Sequence, residues 1–150
     1  MVEPYYNKVK DFGMEFEVDA GGKVHYLGLS LFHTKNGAYI GNLLATEEAK
    51  REKMARYLSL ELLDEVRQRI IDNVQLGDYQ GPFGIDMMVV QRSTFNVPPS
   101  TFNLHPCVEI NLRRTMGHVA LSMTPTDDDI KKVMRIELED HYKLHIRKVQ

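Results

Sequence analysis

The chain has 150 residues, a net charge of −2, 27% charged and 43% hydrophobic residues, which fits one domain with a buried core and gives no global positive field for nucleic acid or an anionic membrane. No apolar run reaches the roughly 18 residues that span a bilayer, and the amino terminus lacks a signal-peptide pattern. The single Cys107 cannot form an internal disulfide, which agrees with a reducing, cytoplasmic setting.

Apolar alternation from Phe12 to Val18, turn residues at Ala20, Gly21 and Gly22, and a second alternating run from Val24 to Leu31 predict an antiparallel hairpin. Thr34 to Asn42 contains Asn36, Gly37, Gly41 and Asn42 and reads as a loop. Thr46 followed by Glu47 and Glu48 marks a helix start, because an oxygen acceptor and early acidic residues complement free amide groups. A second helix begins at Ser59, with Leu62, Leu63, Val66, Ile70 and Ile71 on one face and Asp64, Glu65, Arg67 and Arg69 opposite.

Gly77, Gly81 and Pro82 introduce a strand over Gly81 to Val90, in which Ile85, Met87 and Val89 form a buried row and Asp86 points the other way. A polar, proline-rich connection from Arg92 to Asn103 leads to a strand over Leu104 to Arg114. There Glu109, Asn111 and Arg113 share one face, while Val108, Ile110 and Leu112 line the other and are expected in the core. Cys107 reads as a small buried thiol. Thr115 to His118 turns into a short helical piece, and Thr126 with Asp127, Asp128 and Asp129 reads as a helix cap. Alternation at Ile136 and Leu138, and again at Tyr142, Leu144 and Ile146, predicts a terminal hairpin turning near Glu139 to His141.

Asp86, Glu109 and Asn111 carry the chemistry. A carboxylate within an apolar strand is costly to bury unless it is paired or binds a cation. Two such strands side by side aim three oxygen ligands at one point, a set suited to magnesium, with Arg113 as a fixed positive charge for phosphates. A plainer reading stays open, in which Glu109 pairs with Arg113 and Asp86 sits on a solvent-facing strand. His141 and His145 lack a matching second pair for zinc.

At these residues the sequence resembles the ATP-grasp superfamily, whose members carry an acidic residue on one strand and Glu-x-Asn, often followed by x-Arg, on the next. The matches are Asp86, Glu109, Asn111 and Arg113. Upstream, MVEPYY at Met1 to Tyr6 looks like the hinge strand that holds adenine, with Glu3 in the acidic position. In KDFGMEF, Asp11 stands where an acidic residue holds the ribose hydroxyls. The chain departs from the pattern at Gly84, where some members have an arginine.

The resemblance implies an α+β lobe, an antiparallel sheet with helices packed on one face and a magnesium-nucleotide site on the other. Asp86, Glu109 and Asn111 would hold Mg²⁺, Arg113 would stabilise phosphoryl charge, and Glu3, Asp11 and Tyr39 would contact ATP. Tyr39 lies in a segment, Gly37 to Asn42, that reads equally as a lid or as a plain surface loop. The implied reaction is activation of a carboxylate as an acylphosphate for attack by an amine or similar nucleophile. The lobe that carries phosphate-binding lysines and a glycine-rich loop is absent from these 150 residues, so the chain reads as the carboxy-terminal lobe, inactive alone. Self-association through the amino-terminal strand with Val2, Tyr5 and Tyr6, or disorder of the first few residues, is then expected. The rival reading is a non-catalytic nucleotide-binding or interaction module.

Overall fold

The computed structural model describes residues 7–91, 102–127 and 130–149. Glu3 and the rest of the hinge segment, and most of the Arg92 to Asn103 connection, lie outside them. In chain order the elements are β1 (Lys8–Val18), β2 (Val24–Ser30), β3 (Phe32–Lys35), β4 (Ala38–Leu44), α1 (Glu47–Met54), α2 (Leu60–Asn73), β5 (Gly81–Gln91), β6 (Phe102–Asn111), α3 (Met116–Ser122), β7 (Lys132–Leu138) and β8 (Tyr142–Lys148). They form an α+β fold with two four-stranded antiparallel sheets, ordered β2-β1-β5-β6 and β3-β4-β7-β8.

Strand parity builds the first sheet. Phe12, Met14, Phe16 and Val18 of β1 and Phe83, Ile85, Met87 and Val89 of β5 are buried in one cluster. Met54 of α1 belongs to the cluster and the α2 residues Leu62, Val66 and Ile70 pack against it, so α1 and α2 cover this face. Its centre is aromatic, with Phe16 stacked on Phe83 at 5.1 Å between ring centroids. The alternate residues, Gly13 and Glu15 on β1 and Gly84 and Asp86 on β5, face the other way.

Helix α1 is fastened to the edge strand β2. Its cap is Thr46, whose side chain accepts from the Ala49 amide at 3.2 Å. Glu47 accepts from the Tyr26 hydroxyl at 2.6 Å and from the Leu29 amide at 2.9 Å. Lys50, buried despite its charge, donates to the Leu29 carbonyl at 2.7 Å. These bonds satisfy a stretch of β2 backbone that the ladder alone does not reach.

The second sheet differs from the sequence expectation. Thr34 to Asn42 is a hairpin, with β3 and β4 joined at Asn36 and Gly37, whose φ angles are 52° and 79°. Positive φ at both central residues matches the tight turn that follows the twist of paired strands. Gly41 belongs to a strand because β7 passes too close for a side chain: a Cβ there would lie 2.2 Å from the Met134 carbonyl oxygen. The terminal hairpin is present as expected, with Ile136 opposite Leu144 and Leu138 opposite Tyr142. Among the described residues no helix follows Thr126 and Asp127; Ile130 instead donates its amide to the Asp127 carbonyl at 3.1 Å, and β7 begins at Lys132.

The expected core face of β6 is also corrected. Val108, Ile110 and Leu112 are 53%, 45% and 48% exposed, and Cys107 is exposed too. Ile110 projects to the helix side, since it pairs with Ile85, but this half of the edge strand β6 is left uncovered, whereas Phe102 and Leu104 at its start pack against the core. An apolar groove of about 530 Å³ remains between Leu62, Val66, Ile70 and Val74 of α2 and Ile85, Pro106 and Cys107.

Candidate functional site

The two sheets meet around α3, which packs Ala120 against Leu44 and Met134 of the second sheet. Beside this junction lies a cavity of about 270 Å³. The first sheet contributes Glu15, Asp86, Glu109 and Asn111, the second Phe32, Thr34, Tyr39 and Asn42, and the turn into α3 adds Arg113, Thr115 and Gly117.

Antiparallel register brings the acidic residues together. Asp86 pairs directly with Glu109 and Gly84 with Asn111, and directly paired residues share a face. Asn111, 8% exposed, donates its amide nitrogen to Asp86 at 3.3 Å and accepts from Arg113 on its oxygen at 3.0 Å. The Asp86 carboxyl is pushed up to about 6 by burial and by the charges of Glu15 and Glu109, against the bond from Asn111 and the charge of Arg113. Such a carboxyl gains most from a cation.

Glu15 was missed by the sequence reading. It is 2% exposed, and its carboxylate accepts from the Thr115 hydroxyl at 2.8 Å. His118 Nδ1 lies 3.0 Å from the same oxygen, and Nε2 lies 3.1 Å from the Phe16 carbonyl. With Nε2–H donating to Phe16, a neutral ring accepts the Thr115 amide at Nδ1, 3.1 Å away; a protonated ring turns Nδ1–H to Glu15. Burial works against the imidazolium, but the bonds to Glu15 and to Phe16 and the Glu15 charge hold its pKa above the ordinary value. Like Asp86, Glu15 is a carboxylate inside an apolar alternation, between Met14 and Phe16.

Glycines make room for that carboxylate. A Cβ on Gly84 would lie 2.5 Å from Glu15 Oε2, and one on Gly117 would lie 1.9 Å from Oε1. A side chain at position 84, such as the arginine of some ATP-grasp proteins, would displace Glu15.

Tyr39 lies on β4 and not on a loop. Its hydroxyl donates to Asn42 at 2.6 Å, and Asn42 donates to Ser30 at 2.8 Å, which fixes the ring at the cavity wall. Asp11 is outside this cavity. It lines an adjoining one with Lys8, Lys10 and His33 that shares Phe32, Thr34 and Gly37 with the first. There it accepts from Thr34 at 2.6 Å and from Lys8 at 2.7 Å.

Among solved structures, N5-carboxyaminoimidazole synthetase from Staphylococcus aureus, complexed with ADP, matches 91% of this chain at 14% identity with a TM-score of 0.53. The chain has an ATP-grasp-type fold. It spans 37% of that protein's length. A putative ATP-grasp superfamily protein from Archaeoglobus fulgidus matches 97% of the chain and 47% of its own at 15% identity, with a TM-score of 0.48. The phosphoribosylaminoimidazole carboxylase ATPase subunit from Aquifex aeolicus matches 91% and 41% at 14% identity, with a TM-score of 0.46. No protein-family model matches the sequence, and no curated protein sequence does. No helix among the described residues is long and apolar enough to cross a membrane.

Proposed function

We propose that these 150 residues form one lobe of an ATP-grasp ligase and supply the magnesium-nucleotide half of its active site. The observation that carries this reading is the direct pairing of Asp86 with Glu109 on the cavity side of the sheet, with Asn111 bonded to Asp86. Two carboxylates and an amide oxygen are the donors a hard divalent cation takes, and the raised pKa of Asp86 marks charge that the protein leaves uncompensated. Bound there, Mg²⁺ would offset phosphate charge.

Arg113 adds a positive charge beside the phosphates. It currently holds the Asn111 oxygen, so ligation by Asn111 frees the guanidinium to turn to an anion. Tyr39 and Phe32 wall the cavity. The carboxylate substrate and its activation belong to the complete enzyme, with the remaining phosphate contacts supplied from the other lobe.

Isothermal titration of the chain with Mg²⁺, and with ADP in its presence, tests the reading. Saturable Mg²⁺ binding that disappears in Glu109→Gln and Asp86→Asn, both still folded by circular dichroism, is expected. Binding unchanged in both variants would refute it.

A further inference from the structure

The base of the terminal hairpin concentrates positive charge in a chain whose net charge is −2. Lys132 stands directly opposite Lys148, and like charges in directly opposed positions destabilise a ladder. Val133 opposite Arg147 and Arg135 opposite His145 then put the two arginines on one face as diagonal neighbours. Lys132, Arg135, Arg147 and Lys148 have no carboxylate partner among the described residues, although their hairpin has acids at its other end. Those acids are engaged there: Lys143 pairs with Glu139 and Asp140, and the nearest oxygens of Glu137 and Glu139 approach His145 Nε2 at 3.9 and 3.7 Å.

Arg135, Arg147 and Lys148, but not Lys132, line a cavity of about 270 Å³ together with Val133, His145 and Val149. It shares no lining residue with the Asp86 cavity. Arginine offers a planar fork of donors that matches phosphate oxygens. The patch is short, because Glu137, Glu139 and Asp140 follow along the same hairpin. An extended polyanion laid along the strands would run onto that acidic end, whereas a compact anion would not.

We propose that this pocket binds the phosphate group of a phosphorylated small molecule, with Arg135 and Arg147 as its principal ligands and Lys148 adding charge. The site is independent of the nucleotide reading. The test is titration of the chain with inorganic phosphate and with glycerol phosphate at constant ionic strength, followed by backbone amide NMR shifts. Both probes are expected to give saturable shifts at residues 131–135 and 145–149. Arg147→Gln and Arg135→Gln should each weaken binding about tenfold, the scale of one charge-assisted bond, while Arg113→Gln leaves it unchanged. Linear shifts, shifts confined to the surroundings of Arg113, or tight binding of duplex DNA or anionic vesicles without a saturable phosphate response would each overturn the proposal.

Discussion

The carboxylate of Glu15 meets the imidazole of His118 at 3.0 Å, with both side chains nearly withdrawn from water. The pair joins the middle of β1 to the helix that follows β6. Because the folded protein holds the His118 pKa above its ordinary value of 6.5, the pair's contribution is complete below that value and is lost as pH rises through the folded pKa. Thermal melts should therefore show falling stability on the alkaline side of 6.5, and His118→Gln should be less stable at pH 6 with a flatter profile above it. An unchanged alkaline slope in the variant would assign the effect elsewhere.

Gly117→Ala drives a methyl group into the Glu15 carboxylate. Overpacking of this kind costs about 1 to 3 kcal/mol, and urea denaturation should report a loss in that range. Glu15→Ala removes the nearest obstruction and leaves Ser30 Oγ at 2.7 Å, so the cost of Gly117→Ala should shrink in that background without vanishing. Equal costs in the two backgrounds would mean that the glycine is required for another reason.

Asp86→Asn should separate binding from stability. The carboxyl has an ordinary pKa of 3.8 and a folded value of about 6, so between them the folded state holds the extra proton and stability falls as pH rises. A two-unit difference corresponds to at most about 3 kcal/mol. At pH 7 without magnesium, the Asn variant should melt higher than the wild type and lose the acid-side slope, yet fail to bind Mg²⁺. A lower melting temperature would show that the buried charge is compensated.

Lys50→Met keeps the unbranched apolar stem of the buried side chain but removes its terminal donor. The Leu29 carbonyl and the Glu47 carboxylate lose the ammonium at 2.7 and 3.4 Å, and an unsatisfied buried acceptor costs about 1 to 3 kcal/mol. Chemical denaturation should show a loss of that order, with Lys50→Ala worse because it also leaves a cavity. A Met variant as stable as the wild type would show that packing alone matters there.

Where one face is dry, local sequence carries the answer. The β1–β2 hairpin and the parity of Asp86 and Glu109 were legible because a one-residue slip would bring each buried row to water. The β3–β4 hairpin was not, because Gly41 and Asn42 resemble loop residues. Gly41 reflects the close passage of β7, and Asn42 is buried through its bond to Ser30. The exposed Val108, Ile110 and Leu112 failed for a related reason: a strand's own residues do not say whether it lies at the edge of a sheet. Glu15 was legible in principle, but its partners Thr115 and His118 approach only after the chain has crossed both sheets.

Edge placement gives β6 a further consequence. Its ladder to β5 shifts register between Asp86 and Met88, around Pro106, which has no amide hydrogen to donate. Glu109 and Asn111 thus hang from a strand held on one side only, through an interrupted row of bonds. An ion shared by Asp86 and Glu109 would act as a staple across that row, and whatever binds only the closed arrangement slows its opening. The amides of β6 would then exchange with solvent deuterium at a rate set by ligand occupancy, turning this edge strand into a reporter of its own site.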